Sequence, residues 1–108
     1  MDGRTTAETL DAAQLGAELG DRATLVQFSS AFCQPCRATR RTLAEVSGVV
    51  EGVAHVEIDA EANLALVRAL GINRTPTVLV LDAQGRIVRR AAGPPRTADV
   101  VAALGRAM

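Results

Sequence analysis

The stretch Phe28-Ser29-Ser30-Ala31-Phe32-Cys33-Gln34-Pro35-Cys36-Arg37 decides how this chain is read. Its start overlaps an apolar run of strand length, Thr24-Leu25-Val26-Gln27-Phe28-Ser29. After it, Thr39, Leu43, Val46 and Val50 recur at intervals of 4, 3 and 4, which predicts a helix from about Cys33 to Val50. The two cysteines therefore sit where a strand hands over to a helix. The first turn of a helix presents unpaired N–H groups and the positive end of its dipole. Both favour a thiolate over a thiol, so Cys33 is placed to act as a nucleophile. Cys36 follows one turn later, close enough to close a disulfide with it. Pro35 restrains the turn between them and costs no helical hydrogen bond so early in the helix.

Other uses of the pair fit less well. A disulfide across three residues closes a very short loop, where cross-linking stabilises least. A zinc site needs four ligands, or three and water. Two cysteines and the single His55, on a separate segment, barely reach three. No metal or other cofactor is expected beyond the pair itself. The position of Cys-x-x-Cys within a βαβ pattern favours thiol–disulfide chemistry.

Working outward, Thr5–Thr9 predicts a short edge strand, and residues 1–9 are expected to be weakly ordered. Asp11 is the expected N-cap of a helix with Ala12, Leu15 and Leu19 on one face, closed by Gly20. Val53–Asp59 alternates, with Ala54, Val56 and Ile58 opposite His55, Glu57 and Asp59, as in a strand. Asn63–Leu70 fits a short helix ended by Gly71, and Thr77–Leu81 a strand buried on both faces. Asp82-Ala83-Gln84-Gly85 reads as a hairpin turn returning into Ile87–Ala91. Thr97 is the expected cap of a last helix with Val100, Val101 and Leu104 inward. The order is β-α-β-α-β-α-β-β-α. Helices between successive strands imply parallel pairing, and the Gly85 turn an antiparallel final pair. The expected fold is α/β: a mixed four- to five-stranded central sheet with helices on both faces.

At 108 residues the chain has the size of one domain, expected to span 1–108. Hydrophobic residues make up 48%, enough for a core, and Phe28 and Phe32 are its only aromatics, so that core should be aliphatic. Twelve basic residues balance twelve acidic ones, which gives no electrostatic reason to expect a nucleic-acid partner. All the basic residues are arginine, and the pairs Arg40-Arg41 and Arg89-Arg90 read as solvated faces. No apolar run approaches a membrane span. Met1–Thr5 lacks signal-peptide character, so the expectation is a cytoplasmic protein, or an extracytoplasmic domain if an upstream anchor was removed.

The chain resembles the thioredoxin family across nearly its whole length. Four features carry the resemblance in order: the Phe28–Arg37 stretch, Val53-Ala54-His55-Val56-Glu57-Ile58-Asp59, Gly71-Ile72-Asn73-Arg74-Thr75-Pro76-Thr77, and Gly93 after the hairpin. The resemblance implies an exposed nucleophile at Cys33 and a buried resolving thiol at Cys36. It implies that Pro76 is cis and packs beside them, whereas read alone Pro76 also fits a trans proline starting an edge strand. Thr75 should then offer its backbone to an extended substrate segment, and Gly93 should floor the same groove. Read alone, Gly93 is an ordinary turn glycine before Pro94-Pro95. Protein disulfides are the implied substrates, and the implied electron donor is a flavoprotein such as a thioredoxin reductase, or another donor. A monomer is expected.

Several positions depart from the family pattern. Phe32 and Gln34 alter the usual Trp-Cys-Gly-Pro-Cys, Ser29 replaces a second Trp, and Arg41 replaces a helix-kinking proline. Gln27 stands where the family has a buried Asp, and His55 where its Lys partner stands. A neutral Gln27–His55 pair avoids the cost of a lone buried charge. His55 then either satisfies a hydrogen bond or serves as a base for Cys36. The leading function is a general disulfide reductase. The alternatives are a partner-specific or membrane-tethered redox domain, and a non-catalytic binding module of the same fold.

Overall fold

The structure, a computed structural model, describes residues 8–108. Helix α1 spans Ala12–Leu15, strand β1 Ala23–Ser29, helix α2 Gln34–Val49 and strand β2 Val53–Asp59. A single 3-10 turn at Ala60–Ala62 leads into α3, Leu64–Leu70; then follow β3, Thr77–Asp82, β4, Ile87–Ala92, and α4, Thr97–Ala107. The four strands lie in the order β2-β1-β3-β4.

Alternation along the strands divides the core into two layers. Val26, Phe28, Val56, Ile58, Leu79 and Leu81 face Leu10, Leu15, Leu70 and Ile72 on one side. Ala23, Leu25, Val78 and Val80 face Leu43 and Val46 of α2 and Val100, Ala103 and Leu104 of α4 on the other. The predicted mixed sheet with helices on both faces is the fold observed.

Four expectations change. β2 is parallel to β1, but β3 is antiparallel to it, despite the helix that precedes it. Ile58 and Thr77 both pair with Phe28, so the segment between β2 and β3 leaves and re-enters at one end of the sheet. The short α3 makes no crossover along the sheet. α1 closes at Gly16, which takes the left-handed conformation at φ 71°, not at Gly20. Gly20 is instead needed for close approach: a Cβ there would meet Ala23 O, Gly52 O and Ala54 N. The cap of α4 is Arg96, with Thr97 as first helical residue, and Val101 is exposed while Ala103 takes the inward place.

All four residues of the two arginine pairs are exposed, as expected, and two of them also make specific bonds. Arg40 is ion-paired with Glu57 on β2, and Arg90 donates to the carbonyls of Leu70 and Gly71 at the end of α3. The expected first strand lies mostly outside the described residues. Thr9 forms one antiparallel bridge with Arg86, flanked by Leu10 N–H to Gly85 O and Ile87 N–H to Glu8 O, both 2.9 Å.

Candidate active site

β1 delivers the chain to the site and α2 carries it away. Cys33 is the N-cap of α2, with extended backbone, and its sulfur accepts from the Cys36 N–H at 3.1 Å. No acidic residue occupies the first turn of α2, so nothing there opposes the helix dipole that faces this sulfur. Cys33 and Cys36 are joined as a disulfide. Cys33 is partly exposed, whereas Cys36 retains 1% exposure. The two sulfurs are thus unequal in access, the arrangement a nucleophile and a resolving thiol require. Gln34 and Pro35 are exposed on the turn. Phe32 is 98% exposed at φ 58°, a left-handed conformation uncommon for a bulky residue, and projects its ring beside the pair.

A second segment meets this turn. The Thr75–Pro76 bond is cis, and Pro76 is buried at the start of β3. The hydroxyls of Ser30 and Thr75 hydrogen-bond at 2.7 Å, tying the loop before Cys33 to the residue before the proline. Gly93 N–H donates to Pro76 O at 2.8 Å, which ties the end of β4 to the same point. Gly93 has φ 90°, and the nearest atom to an added Cβ is the Arg74 guanidinium at 3.6 Å. Its backbone conformation, rather than room, calls for glycine there.

Under the turn the expected Gln27–His55 pair is not made. Parallel register sets His55 beside Leu25, and sets Glu57 beside Gln27. Gln27 Nε2 donates to Cys36 O at 2.8 Å and to Ser29 Oγ at 3.0 Å. Ser29 Oγ donates to Glu57 Oε2 at 2.8 Å, and Arg40 donates to both Glu57 oxygens at 2.7 and 2.8 Å. A line of hydrogen bonds thus runs from buried Cys36 to a surface ion pair. The bond from Arg40 chiefly, with help from Ser29, holds the Glu57 carboxyl below its usual range against partial burial. His55 is half-buried; burial pushes its imidazole below the usual range, Glu57 pulls the other way, and Arg40 adds to the depression. Its Nε2 has no partner among the described residues.

Ser29, Arg40 and Glu57 were missed as site residues. Seven-residue strands β1 and β2, read in parallel register, would have set Glu57 beside Gln27. Ser29, Ser30, Ala31, Arg40, Glu57 and Asp59 line a hollow of about 330 Å³ beside the turn. A second hollow of about 230 Å³, between β4 and α4, includes Gly93 but neither cysteine. Among the described residues no three His, Cys, Asp or Glu cluster as metal ligands, and no helix is long and apolar enough to cross a membrane.

The family model for a thioredoxin-like domain matches residues 10–107. The chain belongs to the thioredoxin family. No protein of curated function matches the sequence. Among solved thioredoxins, a mutant of the Halobacterium salinarum protein is similar at TM-score 0.72 and 21% identity, over 81% of this chain and 75% of that one. Spinach chloroplast thioredoxin f is similar at TM-score 0.70 and 22% identity, over 82% and 78%. A thioredoxin f2, solved in complex with ferredoxin:thioredoxin reductase, is similar at TM-score 0.69 and 24% identity, over 82% and 79%. These likenesses concern the fold. The family match and the Cys33–Cys36 disulfide at the head of α2 mark a thioredoxin-fold protein with a thiol–disulfide redox centre.

Proposed function

We propose that the protein is a protein-disulfide reductase working by thiol–disulfide exchange. The observation that carries this reading is the inequality of the two sulfurs: Cys33 partly exposed at the N-cap of α2, Cys36 buried one turn behind it. The Cys33 thiolate attacks a substrate disulfide, one substrate sulfur leaves as thiolate, and a mixed disulfide forms. The Cys36 thiolate then attacks Cys33 Sγ and expels the second substrate sulfur. Two electrons have passed to the substrate, and the pair is left oxidised. The two sulfurs carry the whole reaction without a further cofactor.

Thr75 and Gly93 are assigned the substrate groove. No backbone hydrogen bond among the described residues uses the Thr75 N–H or C=O, which leaves both for an extended segment. A separate reductase recharges the pair. That a thioredoxin f2 of like fold was solved with ferredoxin:thioredoxin reductase supports a partner of that kind.

A partner-specific version of this function has one observation in its favour. The exposed Phe32 ring and the Arg40–Glu57 ion pair flank the turn and present a mixed apolar and charged rim.

The test is capture of the intermediate. Cys36→Ser should accumulate a mixed disulfide between Cys33 and an insulin chain, seen as a mass increase that dithiothreitol removes. Cys33→Ser should accumulate none. Equal capture by both variants, or by neither, contradicts the assignment.

A further inference from the structure

Arg74 stands two residues before the cis proline, and its head returns to the end of β4. Gly93 is buried, and the nearest heavy atoms to the position a Cβ would take on it are Nη2 and Cζ of Arg74, at 3.6 and 3.8 Å. Gly93 N–H donates to Pro76 O, so this guanidinium lies beside the junction of the cis-proline turn with β4. The backbone beneath it is held in place, because Arg74 O accepts from Thr77 Oγ1 at 2.7 Å. Arg74 is exposed, and its guanidinium has no carboxylate partner among the described residues.

The charges on the two sides of the cysteine turn differ. The hollow on the β2 side carries Glu57 and Asp59 against Arg40, whose charge is already spent on Glu57. The hollow that includes Gly93 carries Arg89 and Arg96 on its rim, against Asp99 alone, 3.7 Å from Arg96. Arg74 adds a third cation to that side. An extended segment laid along Thr75 and Gly93 covers the Arg74 guanidinium. A charge taken out of water without a partner is strongly unfavourable. A carboxylate is the group that the planar fork of guanidinium N–H donors fits best. We propose that Arg74 sets substrate specificity: it pairs with an acidic side chain within two residues of the substrate cysteine, so that disulfides in acidic segments are preferred.

The inference rests on the reductase reading and on the groove assigned to Thr75 and Gly93. Its test uses peptide disulfides of one sequence that carry Glu, Gln or Lys at one of the two positions on either side of the cysteine. Reduced protein, freed of reductant, is mixed with each peptide at pH 7 and low salt, and thiol release is read by alkylation and mass. Each second-order rate constant is divided by that for dithiothreitol alone, which removes the peptide's own reactivity. Wild type should favour Glu over Gln about threefold to fivefold at the best position, as for a solvent-accessible ion pair. Arg74→Gln should bring that ratio near one, and Arg74→Glu should favour the Lys peptide instead. Ratios are compared within one variant, so a general loss of rate divides out. A wild-type ratio near one at every position overturns the inference, as does a preference that survives Arg74→Gln or is not reversed by Arg74→Glu. A folded protein that reduces all the peptides alike defeats the inference alone, whereas one that reduces none defeats the proposed function and the inference with it.

Discussion

Glu57 is the residue through which pH should reach the site. Its folded-state pKa is depressed, chiefly by Arg40. The stability it contributes is therefore present above the ordinary glutamate range and lost as pH falls through the folded value. Arg40→Ala should lower the urea midpoint at pH 7, and the difference should shrink as pH falls through the depressed Glu57 value and vanish below it, where Glu57 is protonated in both proteins. His55 works in the same direction for another reason. Burial depresses its pKa, so wild type should lose stability as pH drops below about 6.5, until the folded value is passed. His55→Leu should flatten that slope, as read from urea midpoints at about pH 5 and 7, because the imidazole tip has no partner to lose. Since His55 lies beside Leu25 and shares no hydrogen bond with Gln27 among the described residues, His55→Ala should leave the pH profile of insulin reduction unchanged. A shifted profile would restore it as a base. The two cysteines were legible as the redox pair from their place between a strand and a helix. The Gln27–Ser29–Glu57–Arg40 line was not, because it joins residues up to 28 positions apart and exists only once strand register is fixed.

At the scale of elements, periodicity located β1, α2, β2 and β3 to within a residue or two, since each buries a regular face. Ends and directions were harder. The close of α1 depended on which of two glycines takes the left-handed conformation, and spacing does not distinguish Gly16 from Gly20. The direction of β3 depended on where the chain lies after α3, a property of the whole connection. Caps can be tested singly. Asp11 and Gln14 form a reciprocal capping box at 2.8 and 2.9 Å, so Asp11→Ala should cost about 1 kcal/mol in thermal or urea unfolding. Gly85 stands at φ 84°, where an added Cβ would meet the Leu10 carbonyl that lies over the hairpin. Gly85→Ala should cost more than about 1 kcal/mol and weaken the Leu10 N–H···Gly85 O bond, read as faster amide exchange at Leu10.

For the molecule as a whole, two aliphatic layers hold the sheet, and one end of that sheet carries the site. Phe28 joins these functions: it is fully buried and pairs with both Ile58 and Thr77 at the end where β1 hands over to the cysteine turn. Phe28→Ala should cost about 3–5 kcal/mol and could abolish folding of so small a domain. The same end brings together the N-terminus of α2, the cis Pro76 and Gly93, three sites far apart in sequence. Catalysis of disulfide exchange by this assembly is the central claim. Its most direct measurement is the rate of insulin-disulfide reduction by dithiothreitol, with and without the protein. Wild type should accelerate the reaction, and folded Cys33→Ser should give only the rate of dithiothreitol alone. A folded wild type that adds nothing to that rate would contradict the account.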